Sequence, residues 1–231
     1  MPFWFDNTNT FCITVESTIS TRWSRMEQRL HNAGLDSVCK WKASTPQDLQ
    51  DTFYPRLSKL QCACAQSHIN IYKHIVEDNL EYAFILEDDA CFDKDWLEKL
   101  HKWNPEDIEF DAIFLNCSEP EKPQDTWVKC REQYLTGAYI ISLQGAKYIL
   151  SQFQDCYYSA DWMTSRLQEN GKSYTYFPWL VIQEGLDTTI ESGYEADREK
   201  VVRCLMEIGY PLTKYYREPR FPCTNPPFTI S

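Results

Sequence analysis

Glycine is scarce in this 231-residue sequence, with only 7 residues, and no glycine-rich turn follows the first apolar segment, where ESTISTRW (16–23) stands instead. That absence argues against a sugar-nucleotide-forming nucleotidyltransferase, whose phosphates rest on such a loop. Long apolar runs are missing too: the longest, 82–86, 137–141 and 179–182, fall far short of the ~20 residues needed to cross a bilayer. The first fifteen residues have neither a basic start nor a continuous apolar stretch, so the sequence as given reads as a cytoplasmic protein without a secretory signal. Basic residues are outnumbered, 23 Lys and Arg against 34 Asp and Glu, and a net charge of −11 with a pI near 4.9 argues against nucleic acid as a partner. Histidine is sparse, and all four residues (31, 68, 74 and 101) precede residue 102, too few and too dispersed for a metal-dependent phosphohydrolase.

What is present describes an ordinary globular chain, 43% hydrophobic and 25% charged, and at ~150 residues per domain its length suits one large domain. We place that domain at 1–209, followed by a tail, 210–231, that holds five of the twelve prolines and has no apolar period. Ten cysteines are spread along the chain, mostly within apolar segments, and read as reduced, buried thiols; a partly oxidised lumenal protein is the competing reading. Cys62, Cys64 and His68 faintly resemble a zinc cluster, but residues two apart on a helix face apart, which disfavours it. Eight tryptophans and fourteen tyrosines are present, and most will belong to the core.

The elements alternate. FCITV (11–15) reads as a buried strand, and Trp23, Met26 and Leu30 mark a helix capped by Ser20 or Thr21 and closed at Gly34. SVCKWKA (37–43) alternates like a strand, and apolar positions from Ser58 to Val76 repeat with helical period. YAFIL (82–86) is continuously apolar, as in a central strand covered on both faces. Trp96, Leu97, Leu100 and Trp103 form another helical stripe. DAIFLN (111–116) and YIIS (139–142) are strands, the second entering a helix at 143–153 through Ser142. Asp161 to Asn170 reads as one helix ended by Gly171, YTYF and WLVIQ around Pro178 as strands, and about 195–208 as a helix stopped at Gly209. Such repetition implies an α/β fold, a mainly parallel sheet with helices on both faces, whose ligands bind beyond the carboxyl ends of the strands.

That rule selects two places, the loop after FCITV and the end of YAFIL, which runs directly into Glu87, Asp88 and Asp89. Three adjacent carboxylates repel one another unless a cation or proton neutralises them. Oxygen ligands suit Mg²⁺ or Mn²⁺. In an extended segment Glu87 and Asp89 point the same way and could share one ion, with Asp88 facing elsewhere. A solvated acidic turn capping the next helix is the alternative.

The stretch LQCACAQSHINIYKHIVEDNLEYAFILEDDACF (60–92) resembles the signature of glycosyltransferase family 25, a Cys…Ser-His helix before a Leu-Glu-Asp-Asp strand end. RWSRMEQRL (22–30), LTGAYIISLQGAKYIL (135–150), Asp161-Trp162 and FPWLVIQEG (177–185) resemble further blocks in order, so the likeness runs over roughly 11–192. It implies a GT-A-type single domain and inverting transfer of a hexose, usually galactose or glucose, from a UDP-sugar. The acceptor would be a glycan, as in lipopolysaccharide biosynthesis, or a protein hydroxyl. Mn²⁺ or Mg²⁺ would neutralise the departing diphosphate, and a carboxylate would take the acceptor's proton.

The resemblance implies Glu87 and Asp89 as metal ligands and Asp161 as the base; Asp161 also suits a helix N-cap. Expected donor contacts are Arg22, Glu87, Asp88, Gly137 and Ala138, with packing the alternative for the two small residues. Arg25 shares a helix face with Arg22 and reads as solvated charge or as a second contact to uracil or diphosphate, and His68 as a core histidine or a ligand. Many GT-A enzymes add a late histidine to the metal, which this sequence lacks; Lys214, Arg217 and Arg220 could fold over the diphosphate instead, or be solvated charge. A non-catalytic sugar- or nucleotide-sugar-binding protein is the main alternative function.

Overall fold

A computed structural model describes residues 9–15, 22–49, 56–102, 109–153, 158–184 and 194–217. Its elements follow the expected alternation: β1 (Thr10–Thr14), α1 (Arg22–Asn32), β2 (Cys39–Lys42), α2 (Lys59–Glu77), β3 (Tyr82–Glu87), β4 (Ala90–Phe92), α3 (Trp96–His101), β5 (Ala112–Phe114), β6 (Trp127–Lys129), β7 (Ala138–Ser142), α4 (Leu143–Gln152), α5 (Ala160–Ser165), β8 (Ser173–Tyr176), β9 (Val181–Gln183) and α6 (Tyr194–Glu207). The local signals act as expected where they can be seen. Ser58 caps α2 through a reciprocal pair with Gln61, Ser142 Oγ accepts from the Gly145 amide at 3.0 Å, and Gly34, Gly171 and Gly209 take positive φ where helices stop. The expected caps Ser20 and Thr21, the end of the α3 stripe at Trp103, and Arg220 lie outside the described residues.

Seven strands form one sheet in the order β2-β1-β3-β7-β5-β8-β6, and β4 pairs with β9 in a second, two-stranded sheet. Strands β2, β1, β3, β5 and β8 run one way. β7 is inserted against its neighbours between β3 and β5, and β6 closes the edge against β8, so the sheet is mixed, with most of its strands running one way. Alternation sends side chains to opposite faces. Ile13, Ile85, Tyr139 and Phe114 pack under α2, α4 and α6 through Ile71, Ile75, Ile149 and Leu205. Cys12, Phe84, Leu86 and Ile140 pack over α1 and α3 through Met26, Leu30, Trp96 and Leu100. Helices thus cover both faces, and fully burying each large side chain contributes about 1.5–3 kcal/mol.

Two details depart from the sequence pattern. The helix expected from Asp161 to Asn170 is α5 followed by a tighter 3-10 turn over Arg166–Asn170. Thr164 and Ser165 hydroxyls donate to the carbonyls of Asp161 and Trp162, three residues back, and the Gln168 amide exchanges two hydrogen bonds with the Gln133 backbone; both tighten the turn. The three-residue strands β4 and β6 are too short to show a period and exist through distant partners, β9 and β8.

Of the cysteines among the described residues, Cys12, Cys62, Cys91, Cys117 and Cys130 are buried, Cys64 and Cys204 half-buried and Cys39 exposed; Cys156 and Cys223 lie outside the described residues. No helix among the described residues is long and apolar enough to cross a membrane. At the join of β7 and α4, a Cβ on Gly145 would stand 2.4 Å from the Asp111 carbonyl oxygen, which itself accepts the Ser142 amide. Backbone cannot yield there, so Gly145→Ala should lower stability by about 1–3 kcal/mol in urea unfolding; an unchanged midpoint would contradict this packing.

Candidate active site

Register brings the polar residues together. β1 and β3 are parallel with Ile13 opposite Glu87, so the residues just beyond, Thr14 and Asp88, meet at the same end of the sheet. Thr14 Oγ1 donates to Asp88 Oδ2 at 2.7 Å, and Arg22, the first residue of α1, forms an ion pair with the other Asp88 oxygen. Asp88 therefore faces away from Glu87 and Asp89 and already has a cation. On the other side of β3, β7 begins beside Glu87: the Glu87 amide donates to the Gly137 carbonyl at 3.0 Å, and Thr136 Oγ1 donates to Glu87 Oε1 at 2.8 Å. The β4–β9 pairing sets Gln183 opposite Ala90, and Gln183 Nε2 donates to Glu87 Oε2 at 3.0 Å and, more weakly, to Asp89 Oδ1 at 3.4 Å. One amide spanning both shows that Glu87 and Asp89 share a side.

These acids line an open cleft of about 170 Å³ between the end of the sheet and α2, together with Thr14, Arg22, Ser44, Cys64 and His68. His68 is fully buried; its Nδ1 lies 2.8 Å from the Tyr139 hydroxyl, which lies 2.6 Å from that of Tyr72. Its Nε2 faces Glu87 Oε1 at 3.4 Å without forming a hydrogen bond. Cys62 turns away into an apolar cluster with Ile69 and Met163, as the two-residue spacing required, while Cys64 and His68, one turn apart, share the cleft face.

Electrostatics splits the acidic pair. Burial opposes ionisation of Glu87, but His68, Thr136 and Arg22 outweigh it and hold the carboxyl below its usual range. Asp89 is 7% exposed. Burial first and the Glu87 charge second push its carboxyl up to about 6, with Arg22 only partly compensating. The site thus holds one carboxylate too many for its own cations. An all-oxygen pair with unbalanced negative charge fits a hard divalent cation, Mg²⁺ or Mn²⁺.

Asp161 sits in the first turn of α5 behind Ser159, which occupies the N-cap position, and its Oδ1 accepts the Trp162 amide at 2.8 Å. It is half-buried and close enough to the cleft to act, with Glu87 and Asp89, on the Cys64 thiol. Gly137 and Ala138 have packing surroundings. A Cβ on Gly137 would fall 2.5 Å from Gln183 Cγ and 2.8 Å from Asn116 Oδ1, and Ala138 is buried in the core. The bare Gly137 makes room for Gln183 to reach both acids. Lys214, expected near the diphosphate, bonds Asp95 at 2.8 Å, and the described part of the tail lies along β4, with Tyr216 N donating to Phe92 O and Tyr215 OH to Trp179 O. Thr14, Thr136 and Gln183 were not singled out from sequence; each carries only the weak signal of a polar residue at a strand end, and topology alone brings them to the acids.

Residues 39–164, more than half of the chain, match the family model described as glycosyltransferase family 25 (LPS biosynthesis protein). The chain belongs to glycosyltransferase family 25. Curated relatives include procollagen galactosyltransferase 1-A of Xenopus laevis, 32% identical over 117 residues, which are 45% of this chain and 19% of that protein. Procollagen galactosyltransferase 1-B of the same species is 33% identical over 115 residues, 44% of this chain and 19% of the relative. Procollagen galactosyltransferase 2 of Mus musculus is 27% identical over 120 residues, 46% and 19%. The matched stretch therefore spans about a fifth of the length of these relatives. The family match covers α2 and the acidic end of β3, two of the elements that line the cleft.

The raised pKa of Asp89 carries a stability consequence with a definite sign. Asp89 ionises at its ordinary value near 3.8 when unfolded and near 6 when folded. The folded state is therefore unpenalised below pH 4 and loses stability as pH rises through 6. In EDTA, Asp89→Asn should be more stable than the parent by about 1–3 kcal/mol at pH 8, with the gain gone below pH 4. Urea titrations at the two pH values test this, and no gain at pH 8 would contradict it.

Proposed function

We propose that the chain is a metal-dependent inverting hexosyltransferase that moves galactose or glucose from a UDP-sugar to a hydroxyl of a glycan or protein. The observation that carries this reading is the Glu87–Asp89 pair, held on one side of an open cleft by Gln183 while Asp88 alone is neutralised by Arg22. Family membership makes glycosyl transfer the reaction class, and the names of the procollagen galactosyltransferase relatives favour galactose as the sugar and a protein hydroxyl as the acceptor.

In this account Glu87 and Asp89 hold the Mn²⁺ or Mg²⁺ ion, and Arg22, paired with Asp88 at the cleft wall, contacts the donor. The bound ion supplies charge neutralisation for the departing diphosphate. Thr136 and Gln183 keep the two carboxylates in place, so that little reorganisation is needed when the donor binds. Asp161 takes the proton from the acceptor hydroxyl. The acceptor oxygen then forms its bond to the anomeric carbon on the face opposite the breaking C–O bond, and UDP leaves with the bonding pair. Inversion follows from that single displacement. The domain that does this would span 1–209, with the tail as a covering segment.

The test incubates the protein with a panel of UDP-sugars, acceptor hydroxyls and Mn²⁺, with and without EDTA, and follows UDP release. Release from one donor that EDTA abolishes, and that falls by at least about 100-fold in Asp89→Ala, is the expected result. Asp161→Asn should lower turnover by about 10²–10⁴-fold with donor affinity unchanged. Calorimetric UDP binding without product from any donor would favour the sugar-nucleotide-binding alternative, and no UDP binding would overturn the reading.

A further inference from the structure

Glu87 has two sides. Its Oε2 faces Gln183 and, through it, Asp89; its Oε1 faces His68 and Thr136. On that second side Cys64 Sγ, His68 Nε2 and a Glu87 oxygen all lie within 4.8 Å of one another, and all three residues line the cleft. We propose that Cys64, His68 and Glu87 form a binding site for a thiophilic divalent cation of the Zn²⁺ class, separate from the oxygen-lined position between Glu87 and Asp89.

Three observations carry the assignment. First, His68 Nε2 is fully buried, makes no hydrogen bond, and points toward Glu87. Its long contact with Glu87 satisfies the buried ring nitrogen poorly, and an ion held between the two atoms would replace it with two ligand bonds. Second, the 3.4 Å between Nε2 and Oε1 is long for a hydrogen bond. It matches the separation of roughly 3.3 Å between two ligands that each stand roughly 2.05 Å from a tetrahedral ion. Third, the outer partners are in place. Tyr139 OH at His68 Nδ1, backed by Tyr72 OH, fixes the ring with Nε2 toward Glu87, and Thr136 fixes the carboxylate. Ligating histidines and carboxylates have such partners, and each orients its ligand.

The donor set determines the class of ion. A thiolate, an imidazole and a carboxylate select Zn²⁺ or Co²⁺ over Mg²⁺ or Mn²⁺, which prefer oxygen. Burial and the charges of Glu87, Asp161 and Asp89 keep the Cys64 thiol protonated on its own, so binding displaces that proton to solvent as the S–metal bond forms. Cys64 and His68 supply ligands from successive turns of α2, which makes the pair rigid, and the cleft leaves a fourth position open. Because Glu87 serves both positions, an ion here takes one carboxylate oxygen away from the pair with Asp89. The inference stands apart from glycosyl transfer, since its readouts involve no sugar.

The test titrates the reduced, metal-stripped full chain with Co²⁺ and reads the thiolate-to-cobalt charge-transfer band in the near ultraviolet. A saturable band in the parent, its loss in Cys64→Ser with an unchanged circular dichroism spectrum, and its retention in Asp89→Asn are expected. No band in the parent, a full band in Cys64→Ser, or loss in Asp89→Asn would overturn a separate site. A second measurement on the unaltered chain removes dependence on the variants: saturating Zn²⁺ should slow alkylation of Cys64, followed peptide by peptide, by at least about tenfold, while leaving the exposed Cys39 unaffected. An unchanged rate at Cys64 would equally overturn the proposal.

Discussion

Repulsion between Glu87 and Asp89 at the end of β3 is the constraint from which the rest of the site follows. β3 is apolar because both of its faces are covered, and that coverage draws the acids at its end out of water into a cleft where charge is poorly screened. Arg22 is committed to Asp88, so nothing on the chain's own cleft wall fully balances the remaining pair. Thr136 and Gln183 hold the two carboxylates in position at the expense of stability. A site kept charged at such a cost makes physical sense when a cationic ligand completes it.

The scaffold explains how a few distant polar residues reach that pair. Parallel register between β1 and β3 delivers Thr14, the reversed strand β7 delivers Thr136 and the bare backbone of Gly137, and the small β4–β9 sheet delivers Gln183. From the other side α2 brings Cys64 and His68, with Tyr72 and Tyr139 behind the ring. Arg29 and Glu184, a buried pair between α1 and the residue after β9, tie the small sheet to the helix beneath it. The cleft is thus bounded by α2, the start of α1 and the end of the seven-stranded sheet, while Gln183 from the small sheet braces the two carboxylates.

Much of this was legible in the residues. The uninterrupted YAFIL run and the acids behind it announced a central strand with a charged mouth, and Ser58, Ser142, Gly34, Gly171 and Gly209 marked helix ends that the structure keeps. Other features were hidden because they depend on pairing between remote segments. Nothing local distinguishes Gln183 from other polar strand residues until β9 lies against β4, and the three-residue strands have no period to read. Spacing correctly set Cys62 apart from Cys64, yet could not show that Glu87, 19 positions beyond His68, closes a triangle with Cys64 and His68. Likewise, the break after α5 arises from side-chain bonds to Gln133, a residue that helical periodicity does not see.

The central claim, that the acidic pair is built for a divalent cation, is tested most directly by the protons that Mn²⁺ displaces. Calorimetric titration of the chain with Mn²⁺ at pH 5, in two buffers of different ionisation enthalpy, counts them. With Asp89 pushed up to about 6, that carboxyl is mostly protonated at pH 5, and binding should release close to one proton in the parent and almost none in Asp89→Asn. Absence of Mn²⁺ binding, or binding without proton release in the parent, would contradict the account.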